Sequence, residues 1–195
     1  MLVSPISRAR TYLGRPQPWL VCVDLQREYV VPGRPSYTQA AADVARVCAR
    51  LLEHARSEDW RVVHTQVRAG AHFKGEGLFG APIDGLRPRI TEPVFQRCGL
   101  SAFSNPDFAA VMRDAQGEEV YVIGFTLNQS CLATALGAVD LGLSVTVVED
   151  AVGVSPCRDL SPSATRDIAA AILQPHVRLA ASGEVFEAVR ALESA

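Results

Sequence analysis

The chain has 195 residues, 48% of them apolar and 21% charged, with a formal net charge of −2 and a pI near 6.1. That composition suits one globular domain with a sizeable core and leaves no basic footprint for nucleic acid. No apolar run approaches the roughly 20 residues needed to span a bilayer, and the N-terminus lacks the h-region of a signal peptide, so the expectation is a soluble, cytoplasmic protein with no membrane partner.

Residues 1–16 read as an N-terminal extension and 17–195 as the domain. Trp19 to Val23 is a compact apolar strand with Asp24 at its tip. Tyr37 to Ser57 reads as a long helix carrying Ala41, Val44, Ala45, Val47, Cys48, Leu51 and Leu52 on one face, with Ser36 as N-cap. Arg61 to Gln66 is a second strand, followed by a Gly-rich stretch, Ala69 to Gly85, without clear periodicity. An irregular segment of that length in a compact domain is more often a lid or a subunit contact than disorder.

Pro93 to Arg97 is a short strand, and Asn105 to Ala115 a helix opened by an Asn-Pro pair. Glu119 to Ile123 is a β-rich run, Ser130 to Leu141 a helix, and Ser144 to Glu149 a nearly all-apolar strand. Pro162 to Leu173 (helix), Val177 to Ala180 (strand) and Gly183 to Leu192 (helix) close the chain. Continuous apolar strands alternating with helices predict a three-layer α/β/α, Rossmann-like open parallel sheet of about six strands, with helices on both faces.

Ligands bind such sheets at the C-terminal tips of the strands. Those tips carry Asp24, Arg68, Arg97, the turn Phe125 to Ser130 and Asp150. The five cysteines (Cys22, Cys48, Cys98, Cys131, Cys157) are odd in number and form no CxxC pair, which argues against a disulfide framework or a zinc knuckle. Lys74 is the only lysine.

Three segments, VCVDLQREY (Val21 to Tyr29), EPVFQRCGLSAF (Glu92 to Phe103) and VIGFTLNQSCLATALGAVDLGLSVTVVEDAVG (Val122 to Gly153), resemble in order and spacing the isochorismatase-like, or cysteine hydrolase, superfamily. In that family a strand-end Asp, a Lys six residues before the Phe of an S-A-F motif, and a Cys at a helix N-terminus form the catalytic trio. The resemblance assigns Asp24 to the first position. Arg97 stands six residues before Phe103, so the lysine position holds an arginine.

Counting from Gly124, Thr134 and Ala138 places Ser130 at the nucleophile position; Cys131 fits only if the turn gains a residue and the helix loses one. Neighbouring helical residues point about 100° apart, so both cannot face one crevice. Cys131 is then a small buried hydrophobe, or else a thiolate stabilised by the helix N-terminus with Asp24 as base. None of the four histidines (His54, His64, His72, His176) adjoins Ser130 in a motif that would supply a base. The isochorismatases proper also lack the cysteine and cleave a vinyl ether without a covalent intermediate.

Guanidinium stays charged where a buried lysine can exchange a proton, so Arg97 is expected to hold Asp24 ionised by lowering its pKa. A chain so poor in lysine also allows Arg97 to reflect composition alone. Gln26 and Tyr29 follow Asp24 on the first loop, where relatives line the substrate pocket. Arg68 and His72 are candidates to clamp a carboxylate, and Phe125, Thr126, Asn128 and Gln129 to shape the far wall. Thr126, Asn128 and the backbone N–H groups from Gln129 to Cys131 form an oxyanion hole or serve as ordinary caps. His64, inside a strand, reads as a satisfied core histidine.

The nicotinamidase branch of the family holds zinc through an Asp-x-His pattern; none occurs here, so no metal and no cofactor are expected. The resemblance implies a hydrolase of a small polar metabolite with an amide, ureide or vinyl-ether bond, working as a homo-oligomer. An inactive homologue that binds a metabolite or a protein partner, and a cysteine amidohydrolase using Cys131, are the alternatives.

Overall fold

A computed structural model describes residues 17–68 and 77–193 of the chain; the expected extension 1–16, with His72 and Lys74, lies outside the described residues. Six strands form one sheet: β1 (Trp19–Val23), β2 (Arg61–Val67), β3 (Val94–Arg97), β4 (Glu119–Gly124), β5 (Ser144–Val152) and β6 (Arg178–Ala180), in the order β3-β2-β1-β4-β5-β6. Every neighbouring pair is parallel. The expected open α/β sheet is therefore present, and the strand order reverses between β1 and β4.

Five helices cover it: α1 (Ala41–Ser57), α2 (Pro106–Met112), α3 (Leu132–Asp140), α4 (Pro162–Leu173) and α5 (Ser182–Glu193). Strand residues alternate between two cores. Trp19, Val21 and Val23 of β1 pack with Phe108 and Met112 of α2, Ala135 and Ala138 of α3, and Ala169 and Leu173 of α4. Leu20 and Cys22 face the other way, against Val44, Cys48, Leu51 and Leu52 of α1 and Val185 of α5. A strand buried on both faces needs apolar residues at every position, which is why β1 reads as the unbroken run WLVCV.

Local rules account for most element boundaries. Asn105 accepts from Asp107 N at 2.8 Å and Phe108 N at 3.1 Å, with Pro106 at the first helical position of α2. Ser161 likewise caps α4 ahead of Pro162, accepting from Ala164 N at 3.1 Å. The helix α2 ends at Met112, and Arg113–Ala115 tighten into a 3-10 turn.

Two expected helix starts shift. α1 begins at Ala41, not Tyr37, and Ser36 does not cap it: Ser36 N donates to the buried Glu28 carboxylate at 3.4 Å, Thr38 N to Tyr29 O at 3.0 Å, and Ala40 is left-handed at φ 58°. Contacts with the first loop thus claim the backbone that local pattern assigned to a helix. α3 begins at Leu132, because Leu127–Cys131 wind as a wider π turn.

At the end of β4, Gly124 has φ 120°, and a Cβ there would lie 1.9 Å from Val23 O. Only glycine lets β4 run this close to the tip of β1 while turning away. The crevice at the strand-order reversal is built on that approach.

Candidate active site

Asp24 leaves β1 in the left-handed region at φ 49°, a conformation that asparagine and aspartate tolerate better than other non-glycine residues. Its N–H donates to Thr65 O on β2 at 2.9 Å, which holds the residue at the sheet's C-terminal edge. Arg97 ends β3, two strands away. Two strand spacings are about 10 Å, so only a long side chain reaches from β3 across β2 to β1. Arg97 Nη2 donates to Asp24 Oδ2 and, at 2.7 Å, to Ser130 Oγ, while Nη1 donates to Gly99 O.

Asp24, Arg97 and Ser130 therefore share one buried cluster, with Asp24 fully enclosed and Ser130 only 7% exposed. Two polar atoms in it, Asp24 Oδ1 and Arg97 Nε, are buried without a hydrogen-bond partner among the described residues. Unsatisfied buried polar atoms are rare in folded proteins, and here they mark space for a ligand. Burial pushes the Asp24 carboxyl up to about 6, and Arg97 with the other hydrogen-bond donors only partly offsets it. The sequence expectation that Arg97 would hold this pKa low is corrected: desolvation of the carboxylate outweighs its attraction to the guanidinium.

Cys131 lies elsewhere. Its side chain is fully buried in the apolar core with Val21, Val23 and Ala135, and burial followed by the charge of Asp24 pushes its thiol well above the usual range. A thiolate is strongly disfavoured there, because charge would have to form without solvent. The one-residue rotation that brings Ser130 to the guanidinium carries Cys131 into the packing of helix on sheet.

The remaining candidates divide by placement. Tyr29 and Phe125 are buried and stack on each other, centroids 5.3 Å apart and planes 7° from parallel. Burial, and then the nearby Asp24 charge, push the Tyr29 phenol up. Gln26, expected on the pocket wall, spends its amide on structure: Oε1 accepts from Val67 N at 3.0 Å, and Nε2 donates to Val67 O at 3.2 Å and Gly80 O at 2.9 Å. It thereby ties the first loop to the end of β2. Arg68 and Gln129 are exposed at the C-terminal edge, Arg68 donating its N–H to Arg97 O at 2.9 Å.

The expected oxyanion donors Gln129 N and Cys131 N both bond to Thr126 O, at 3.1 and 3.0 Å, because the π turn closes on that carbonyl. Thr126 and Asn128 neither cap the helix nor stand free. Asn128 Oδ1 accepts from Ser155 N at 2.9 Å, and Ser155 Oγ donates to Thr126 Oγ1 at 3.1 Å. Ser155 thus clamps the turn that presents Ser130, and nothing in the sequence pattern singled it out. Thr134 was used only to count register; its Oγ1 accepts from Ala102 N at 2.9 Å and fixes the S-A-F segment on α3.

Asp150, at a strand tip by sequence, accepts from Ser182 N at 2.8 Å and Ser182 Oγ at 2.6 Å and so anchors the start of α5. His64 is buried against Glu92 Oε2 at 2.9 Å, far along β2 from its tip, as a satisfied histidine. Among the described residues no three His, Cys, Asp or Glu side chains gather into a metal-ligating group, and no helix is long and apolar enough to cross a membrane.

An open parallel α/β sheet with a carboxylate, a guanidinium and a hydroxyl converging at its topological switch point defines an α/β protein with an enzyme-like crevice. The family model "Isochorismatase domain" matches residues 18–175, and the chain belongs to that family. It is 28% identical over 162 residues to maleamate amidohydrolase of Pseudomonas putida, covering 74% of this chain and 75% of that protein. It is 30% identical over 136 residues to YddQ, an isochorismatase family protein of Bacillus subtilis, covering 68% and 75%. In structure it is similar to a cysteine hydrolase from Pseudomonas syringae pv. phaseolicola (TM-score 0.81, 18% identity, 90% and 93% covered). An isochorismatase from Pseudomonas putida KT2440 superposes with TM-score 0.77 at 23% identity, covering 86% and 89%.

Proposed function

We propose that this protein hydrolyses a C–N bond, amide or ureide, in a small polar metabolite, without a cofactor and with water as the nucleophile. The observation that carries this reading is the unpartnered, buried Oδ1 of Asp24 on a carboxyl pushed up to about 6, next to a fixed guanidinium. A carboxylate with that pKa is ionised at neutral pH yet more basic than an ordinary aspartate.

Asp24 takes a proton from water as its oxygen bonds to the substrate carbonyl carbon. The carbonyl electron pair moves onto oxygen, and the adjacent guanidinium stabilises the negative charge. Asp24 then returns the proton to the leaving nitrogen as the C–N bond breaks, giving a carboxylic or carbamic acid and an amine. Ser130 positions the guanidinium and the water. With Arg97 donating to its Oγ and no histidine bonded to it among the described residues, it has no base of its own. The similarity to maleamate amidohydrolase supports the amide class.

A panel of small amides and ureides, maleamate included, assayed for ammonia release tests this. Turnover that Asp24→Asn abolishes is expected; equal turnover in the variant overturns the reading. A second reading, a binder without turnover, draws on Arg97, whose Nη1 and Nη2 are already engaged by Gly99, Asp24 and Ser130 and which has no proton to exchange. Ligand binding unchanged by Asp24→Asn, with no ammonia from any amide, establishes that alternative. We also propose a homo-oligomeric state, which light scattering reads directly.

A further inference from the structure

A cleft of about 410 Å³ opens at the opposite edge of the sheet, where β1 and β2 begin. Trp19, Trp60, Arg56, Arg61, Arg89 and Glu92 are on its wall. Trp19 starts β1 and Asp24 follows its end, so five residue steps, about 16 Å of strand, separate this cleft from the candidate active site. Its volume falls within the range of small-molecule pockets.

The polar groups of its inner wall are incompletely used. Arg56 gives Nε and Nη2 to Glu92 at 2.7 and 2.8 Å and Nη2 also to Arg87 O, leaving Nη1 without an acceptor among the described residues. Arg61 lies over the Trp19 ring, its Cζ 5.0 Å from the centroid, and makes no ion pair among the described residues. Trp19 is 97% buried, yet its Nε1–H meets no acceptor. Three donors thus border one cleft, and two indoles flank them. Asp59 and Asp114 are also on the wall but are exposed, where water screens them.

We propose that this cleft is a second binding site, for a small planar carboxylate of the aromatic-acid class. Its carboxylate accepts from Arg56 and Arg61, where guanidinium geometry suits a paired acceptor, and displacing Arg61 from the indole opens the Trp19 N–H to it. The aromatic ring takes the place of the guanidinium against Trp19. The proposal does not depend on the hydrolase reading.

Trp19 and Trp60 are the only tryptophans, so intrinsic fluorescence reports on this cleft alone. Titration of the full chain with benzoate is expected to give a saturable change, with acetate and benzyl alcohol each at least about tenfold weaker, because each lacks one of the two recognised groups. Arg61→Gln and Arg61→Lys, both at a partly exposed position, are each expected to weaken benzoate about tenfold or more, the lysine by losing the planar fork. Asp24→Asn is expected to bind benzoate as the parent does. No saturable change up to about 10 mM benzoate, an unaltered response in both Arg61 variants, or loss of the response in Asp24→Asn would each overturn the proposal.

Discussion

Arg97 at the tip of β3 and Asp24 at the tip of β1 meet across the intervening strand β2, and the same guanidinium nitrogen that holds Asp24 also donates to Ser130 at 2.7 Å. One side chain therefore sets the charge, the position and the surroundings of the other two. Removing any member changes the protonation of the rest, which makes the cluster testable by pH as well as by mutation.

If Asp24 is the base, turnover rises with pH through about 6 and levels off above it, since only the ionised form accepts a proton. Protonation of a vinyl ether would need the acid form and would give the opposite limb, activity falling above about 6. Asp24→Asn should lower kcat by about 10²–10⁴ and remove the limb altogether. Stability has its own sign. The folded pKa is raised above the ordinary carboxylate value, so Asp24 favours folding most below about pH 4. That contribution is lost as pH rises through about 6.

Replacing Arg97 by lysine keeps the charge but loses the fork that reaches Asp24, Ser130 and Gly99 at once. Arg97→Lys should keep the fold and move the acid limb of the rate profile. Arg97→Ala removes the only counter-charge printed on Asp24 and should raise the limb well above 6, with a loss of about 3 kcal/mol at neutral pH. Urea melts at pH 5 and pH 8 check the second point, because the loss should shrink at the pH where Asp24 can take up a proton.

Ser130→Ala separates water from serine as the attacking group. With water as nucleophile, kcat should fall by no more than about tenfold, the effect of one lost positioning contact. A drop of three orders of magnitude or more, or a trapped acyl adduct on Ser130 by mass spectrometry, would make serine the nucleophile instead.

Iodoacetamide at neutral pH should label the exposed Cys98 and Cys157 and leave Cys131 untouched in the folded protein. Cys131→Ala should retain activity within about twofold and cost about 1–2 kcal/mol through a small core cavity. Peptide mapping that finds Cys131 modified first would put the thiol back in the crevice.

Away from the site, Glu92 gathers Arg56, His64 and Arg89 N around one carboxylate. Burial pushes Glu92 up, but those donors outweigh it and hold its pKa at about 2, while burial lowers that of His64. Both groups favour the folded state at higher pH. The His64 contribution fades as pH falls below its ordinary value of 6.5, and that of Glu92 between about 4.5 and about 2. Glu92→Gln should therefore melt lower at pH 7, by about 1–3 kcal/mol, and show a weaker acid transition.

The amino-acid sequence on its own determined the layered parallel sheet, the place of β1, β4, α2 and α4, and the positions at 24, 97 and 130 that meet in space. These follow from local causes: apolar runs, Asn-Pro and Ser-Pro caps, and motif spacing that a rigid scaffold preserves. Only the tertiary structure decided the pKa of Asp24, because desolvation depends on everything packed around it. The same holds for the late start of α1, where Glu28 and Tyr29 take the backbone bonds of residues 36 and 38, and for Gln26, Thr126 and Asn128, whose polar groups are claimed by Val67, Gly80 and Ser155. A polar side chain's partners lie many residues away along the chain, and periodicity carries no record of contacts made at that range.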